Sequence, residues 1–239
     1  MNGAPPIIEA RKIHTYYGDS HVLHGVDFHI DAGETVSLLG RNGMGKTTLL
    51  RSMLGLTPPR SGSIHVDGLE CTGASTHETT RKGIAFVPED RGIFPNLDVL
   101  ENLTMASRSG PAGGDDWTLK RIFDLFPRLH ERRDHMGNQL SGGEQQMLTI
   151  ARALMTNPRL IILDEATEGL APLIRLEIWE IVRQIKATGI ASIIVDKDMD
   201  ALLPICDRNY IVNKGTIAYQ GKSRELLENP DLCKQYLCV

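Results

Sequence analysis

Gly40-Arg41-Asn42-Gly43-Met44-Gly45-Lys46-Thr47 is the stretch on which the fold turns. It fills the pattern GxxxxGK(S/T), with an apolar strand-like run at 33–39 before it and Thr48-Leu49-Leu50-Arg51, a helix opening, after it. The glycines let the backbone N–H groups from Gly40 to Thr48 curl around an anion, and the helix behind them adds the positive end of its dipole. Lys46 is expected to reach the β- and γ-phosphates of a nucleoside triphosphate, and the Thr47 hydroxyl to ligate Mg²⁺.

Downstream, Leu160-Ile161-Ile162-Leu163-Asp164-Glu165 supplies the other half of such a site. Four apolar residues bury a strand, and two carboxylates leave its C-terminal end, where open parallel sheets hold ligands. Asp164 is expected to hold Mg²⁺ through water, and Glu165 to act on the attacking water as a base. Adjacent acids after a strand are also common surface turns; the phosphate loop upstream is what favours the functional reading.

Between these two stretches lies Leu140-Ser141-Gly142-Gly143-Glu144-Gln145-Gln146. Ser141 followed three residues on by Glu144 is a capping box, so a helix starts here and presents a second anion-binding N-terminus. In this order the three stretches resemble the ATP-binding subunits of ABC transporters, and LSGGEQQ resembles their signature sequence. The resemblance implies an α/β P-loop NTPase (RecA-like) core with an N-terminal antiparallel β subdomain and an inserted helical subdomain. It also implies ATP and Mg²⁺ as ligands and a head-to-tail dimer, in which Ser141, Gly142 and Gly143 cap the ATP held by the partner's loop.

The resemblance runs along the whole chain. Tyr17-Gly18 ahead of Val22-Leu23 looks like the aromatic loop that stacks on adenine, with Tyr16 the alternative ring and a plain strand tyrosine the alternative role. Val87-Pro88-Glu89 falls at the Q-loop, with Glu89 where the family's glutamine ligates Mg²⁺. Thr167-Glu168-Gly169-Leu170 falls at the D-loop. Lys197, in Val195-Asp196-Lys197-Asp198, stands where the family has a switch histidine; a solvated lysine is the alternative. Val87-Pro88-Glu89, Leu125-Phe126-Pro127-Arg128-Leu129-His130-Glu131-Arg132-Arg133 and Gly169-Leu170-Ala171-Pro172 resemble bacterial branched-chain amino-acid uptake ATPases. That likeness implies an importer subunit on the cytoplasmic face of the bacterial inner membrane. Its partners are a second ATP-binding subunit, transmembrane permease chains contacted near 89–103 and, indirectly, a periplasmic binding protein. The alternatives are an importer motor for another small polar solute, such as urea or amides, and an ABC-type ATPase acting on a macromolecule.

Composition agrees with one cassette over residues 1–239. At 41% hydrophobic and 23% charged, the chain has the make-up of a globular α/β protein. A net charge of −4 and 5% aromatics disfavour a nucleic-acid partner. Residues 1–97 and 158–239 are expected to form the catalytic core and 98–157 the helical segment. Within the latter, Met147, Ile150, Ala151 and Leu154 make one helical face, ended by Asn157-Pro158. Ile174, Ile178, Ile181, Val182 and Ile185 make another, stopped by Gly189. Strands are expected at 7–17, 22–30, 63–66 and 190–195, with a hairpin turning at Asn213-Lys214-Gly215. Cys71, Cys206, Cys233 and Cys238 form no CxxC pair and read as reduced thiols. The longest apolar runs fall far short of the ~20 residues of a membrane span.

Overall fold

The computed structural model describes residues 4–111, 113 and 116–228. Cys233, Cys238 and part of the glycine-rich stretch at 109–116 lie outside the described residues. The elements in chain order are β1 (Ile8–Tyr17), β2 (Ser20–Ile30), β3 (Thr35–Leu39), α1 (Lys46–Met53), β4 (Ser61–Val66), β5 (Leu69–Glu70), α2 (Thr76–Arg81) and β6 (Ile84–Val87). They continue with α3 (Val99–Thr104), α4 (Leu119–Leu125), α5 (Pro127–Glu131), a 3₁₀ turn (Gly137–Gln139), α6 (Gly142–Leu154), β7 (Leu160–Asp164) and α7 (Pro172–Ala187). The last are β8 (Ala191–Val195), α8 (Met199–Leu202), β9 (Arg208–Asn213), β10 (Thr216–Lys222) and α9 (Ser223–Glu228). Two compact units result: Met1–Lys82 with Ala191–Val239, and Gly83–Ile190.

In the first unit, β1 pairs antiparallel with β2 and with β4, and β4 with the short β5. The chain turns between β4 and β5 at Asp67-Gly68 and between β9 and β10 at Lys214-Gly215, each pair with positive φ, the backbone that two-residue hairpin loops require. In the unit's other group of strands, β3 runs parallel to β8 on one side and β9 on the other, with β10 antiparallel to β9. Every residue of β3 and β8 is buried, the continuous burial of parallel strands covered on both faces. Ile8, Ile13, Leu23, Phe28, Leu38, Leu49 and Ile193 fill the core; each such side chain contributes about 1.5–3 kcal/mol on burial. Several polar groups inside it are paired in a chain, although the buried Thr35 hydroxyl has no partner among the described residues. Ser37 donates to Asn209 at 2.6 Å, Asn209 to Ser223 at 2.9 Å and Ser223 to the Cys206 carbonyl at 2.6 Å. Cys71 and Cys206 are buried free thiols, as expected.

In the second unit, β6 and β7 pair in parallel, with Val87 opposite Leu163. Helix α3 is started by an Asp98–Glu101 capping box. The fully buried Asn102 folds the preceding segment onto α3: it accepts from Phe94 N–H and donates to the carbonyls of Phe94, Leu97 and Asp98. The expected apolar face of α6 is buried at Met147, Ile150, Ala151 and Leu154. Beyond α6, Asn157 takes a left-handed φ of 50°. Its side chain there bonds Trp117 N–H and the Arg108 carbonyl, so Asn157 closes the helix end as well as stopping it. The unit is larger than the helical segment at 98–157, since it takes in β6, β7 and α7. The short elements β6 and α2 are additions to the sequence reading: four residues between Gly83 and Pro88, and a single helical turn and a half capped by Ser75 and Glu78.

Candidate functional site

The glycine-rich loop leaves the C-terminal end of β3, and at two positions only glycine fits. Gly40 has a φ of 142°, and a Cβ there would fall against the Val212 carbonyl oxygen. Gly45 has a φ of 106°, and a Cβ would stand 2.9 Å from Leu23 Cδ2 and 3.7 Å from the Val22 carbonyl. The loop is anchored by Gly215 N–H donating to the Met44 carbonyl at 3.0 Å and Met44 N–H to that of Arg41 at 3.3 Å. Helix α1 starts at Lys46 with no side-chain cap and no acid in its first turn, whereas α2, α3 and α6 each begin with a capping box. An uncapped N-terminus behind a glycine loop is an anion receptor. The buried Lys46 ammonium donates to the Gly40 and Arg41 carbonyls at 2.9 and 3.2 Å, which centres its charge over the loop. Arg41, Asn42, Gly43 and Thr47 are exposed, and Thr48 is buried behind them.

The two tyrosines differ. Tyr16 is engaged by two neighbours, with the Arg60 guanidinium carbon at 3.9 Å from its centroid and the His21 ring stacked at 4.1 Å. Tyr17, at the end of β1, is 45% exposed and is the ring open to a stacking partner. His21 also shares a hydrogen bond with His14 at 3.1 Å. Desolvation and the neighbouring His24 lower its pKa from the usual histidine value.

β3 and β8 run in parallel register with Ser37 opposite Ile194, so the turn after β8 leaves the same sheet edge as the glycine loop. That turn carries Lys197, whose side chain is exposed. The buried Asp196 shapes it by accepting the N–H groups of Lys197 and Asp198 at 2.7 and 3.0 Å.

In the second unit the same logic brings two predicted residues together. Val87 lies opposite Leu163, so the residues two beyond this pair, Glu89 and Glu165, emerge side by side. Their carboxylate oxygens and that of Glu168 all lie within 4.8 Å of one another. Glu165 adopts a φ of 51°, uncommon for a residue with a side chain, in a turn closed by Glu168 N–H on its carbonyl at 3.1 Å. Asp164, the last residue of β7, is 3% exposed. The part of Glu168 in this group was not legible beyond its D-loop position, because it depends on the turn at Glu165.

The expected capping box at Ser141 is present. Glu144 N–H donates to Ser141 Oγ at 3.3 Å, and Ser141 N–H to Glu144 at 2.8 Å. Although partial burial pushes the Glu144 carboxyl up, the Ser141 hydrogen bonds and Arg132 hold it below the usual carboxylate range. Gly143 is buried where a Cβ would stand 2.6 Å from Ile174 of α7, and Gly142 lies under the Arg91 guanidinium.

A phosphate loop behind one parallel strand, an acid pair behind another and a capped Ser-Gly-Gly helix define an ATP-binding cassette. A family model described as ABC transporter matches residues 23–168, and the chain belongs to that family. It is 40% identical to the high-affinity branched-chain amino acid transport ATP-binding protein BraG of Pseudomonas aeruginosa over 95% of this chain and 97% of that protein. It is 32% identical to the lipopolysaccharide export system ATP-binding protein LptB of Escherichia coli K12 over 96% of both chains. Among solved structures, the cassette MJ0796 as a dimer in a post-hydrolysis state bound to ADP and Pi superposes with a TM-score of 0.75. That likeness is at 28% identity and covers 91% of this chain and 99% of that one. The chain is thus an ATP-binding, ATP-hydrolysing subunit of the ABC transporter type, resembling the branched-chain amino-acid ATPases. Among the described residues no helix is long and apolar enough to cross a membrane.

Proposed function

We propose that this chain drives the import of branched-chain amino acids, as one half of a head-to-tail ATPase dimer docked on transmembrane permease chains at the cytoplasmic face of a bacterial inner membrane. The observation that carries the solute is the 40% identity to BraG across nearly the full length of both chains. The dimeric MJ0796 with ADP and Pi supports the pairing.

In this reading the loop from Gly40 to Thr48 binds the phosphates, Lys46 neutralises them and Tyr17 stacks on adenine beside Val22. Ser141, Gly142 and Gly143 of the partner cap the same nucleotide. Glu165 accepts a proton from water as its oxygen attacks the γ-phosphorus and ADP leaves. Lys197 donates to a γ-phosphate oxygen. The oxygen donors Thr47, Asp164 and Glu89 suit Mg²⁺, a hard cation, and three acids within 4.8 Å, at 89, 165 and 168, make a concentration of negative charge that a divalent ion relieves. When bound, Mg²⁺ supplies neutralisation of the phosphate charge.

Uptake of labelled leucine, isoleucine and valine, measured in a deletion strain of the encoding organism, tests the solute. Wild type should restore uptake and Lys46→Ala should not. Normal uptake in the deletion strain would overturn the reading. A lipopolysaccharide-export defect there would favour the LptB-like alternative, which its 32% identity supports.

A further inference from the structure

Arg91 lies two residues beyond Glu89 in an unusual turn. Gly92 N–H donates to the Asp90 carbonyl at 2.7 Å while Arg91 between them has a φ of 63°. This is a γ-turn of the rare positive-φ hand, a strained conformation for a residue with a side chain. Such strain persists only where the surroundings hold it, and here α6 holds it. Thr149 Oγ1 donates to the Arg91 carbonyl at 2.6 Å, Arg152 to the Gly92 carbonyl at 2.7 Å, and the Arg91 guanidinium donates to Gln145 Oε1 at 3.3 Å. Positions 142, 145, 149 and 152 form one stripe along the helix. At the head of that stripe the guanidinium fills the space above Gly142, where a Cβ would stand 3.0 Å from Nη1. Gln145 in turn donates to the Gly137 and Leu140 carbonyls, fixing the approach to Ser141.

The same turn therefore grips the first turns of α6 at one end and carries Glu89 into the Glu165–Glu168 group at the other. We propose that Arg91 is a positioning residue that couples the two nucleotide sites of the assembled ATPase. It ties the Glu89–Glu165 carboxylates of one site to the Ser141-Gly142-Gly143 segment that caps the other. This rests on the two-site reading above. Movement of either end is passed through the guanidinium and the strained turn, so hydrolysis at the two sites is cooperative.

The test is the ATP dependence of hydrolysis by the full chain in its assembled transporter, for wild type, Arg91→Gly, Arg91→Lys and Ser141→Arg. Glycine accepts the positive φ and removes only the side chain, so the fold is kept. Arg91→Gly should lower the Hill coefficient from about 2 to about 1 and kcat by about tenfold. Single-site ATP affinity of the isolated chain should stay within about twofold and the melting temperature should be unchanged. Arg91→Lys, which keeps a donor for Gln145, should recover cooperativity. A wild-type Hill coefficient and kcat in Arg91→Gly would overturn the proposal. If Ser141→Arg abolishes cooperativity while Arg91→Gly retains it, the two-site reading stands and the Arg91 link falls. If Ser141→Arg also retains it, the two-site reading falls and the proposal with it.

Discussion

Gly143→Ala should destabilise the chain although alanine is the better helix former. The added Cβ would stand 2.6 Å from Ile174 Cγ2, 3.2 Å from Cγ1 and 3.4 Å from Cβ, so it meets the root of a branched side chain on α7 as well as its tip. A glycine-to-alanine change within a helix gains about 1 kcal/mol. Forcing an extra carbon into a packed contact costs about 1–3 kcal/mol. The net loss is then about 0–2 kcal/mol, the upper part applying because Ile174 cannot swing clear. Gly142→Ala, one residue earlier, is the internal control. The atoms nearest its Cβ all belong to the guanidinium of Arg91, at 3.0–3.3 Å, the far end of a flexible chain. Most of the gain, up to about 1 kcal/mol, should survive there. Urea unfolding of the nucleotide-free full chain, followed by far-ultraviolet circular dichroism, compares the midpoints of the three proteins. A midpoint for Gly143→Ala at or above wild type, or one for Gly142→Ala below that of Gly143→Ala, would refute the packing argument.

Three further outcomes follow from the same structure. Lys46→Ala should weaken ATP binding by about 1.5–3 kcal/mol, the loss of a charged contact to phosphate, read by calorimetry with Mg²⁺ present; equal affinity would remove Lys46 from the site. Glu34, paired with Arg208 at 2.7 Å with both side chains under 20% exposed, should on change to Gln cost about 3 kcal/mol in urea unfolding, because a buried guanidinium loses its partner. Burial pushes the Glu34 carboxyl up, but the hydrogen bonds from Arg208 and Asp31 N–H and the Arg208 charge together outweigh it, and the pKa is lowered. Its contribution is therefore fully present above the ordinary glutamate range and is lost as the pH falls below that range and through the lowered folded-state pKa, so the gap between Glu34→Gln and wild type should close in acid. Lys197→Ala should lower kcat while leaving ADP affinity intact, since ADP lacks the γ-phosphate, and Lys197→His should restore turnover; unchanged ATPase activity would make Lys197 a solvated lysine.

What was legible from the chain alone were the features written in contiguous residues. The phosphate loop, the acid pair and the Ser141 capping box each carry their geometry in a local pattern, and each stands at the end of the strand or helix expected for it. The α6 and α7 stripes were visible because burial repeats at helical spacing. Short elements were not: β6 is four residues, too few to show a period, and α2 rests on a capping box without an apolar face. Relations between distant residues were also hidden. Glu89 and Glu165 meet because of the parallel register of β6 and β7, and Arg91 grips α6 because of a backbone turn that no residue type announces. The distinction between Tyr16 and Tyr17 likewise needed coordinates, since it is Arg60 and His21 that occupy Tyr16.

Hydrolysis of Mg²⁺-ATP by Glu165→Gln, set beside wild type and beside the variant's own ATP affinity, decides whether the Glu165 carboxylate drives ATP cleavage. Glutamine keeps the shape and hydrogen bonding of the side chain and removes the base. Nucleotide binding should stay within about twofold of wild type while turnover slows by roughly 10²–10⁴-fold. Hydrolysis at the wild-type rate would contradict that expectation, because the carboxylate that follows β7 would then have no part in cleaving ATP.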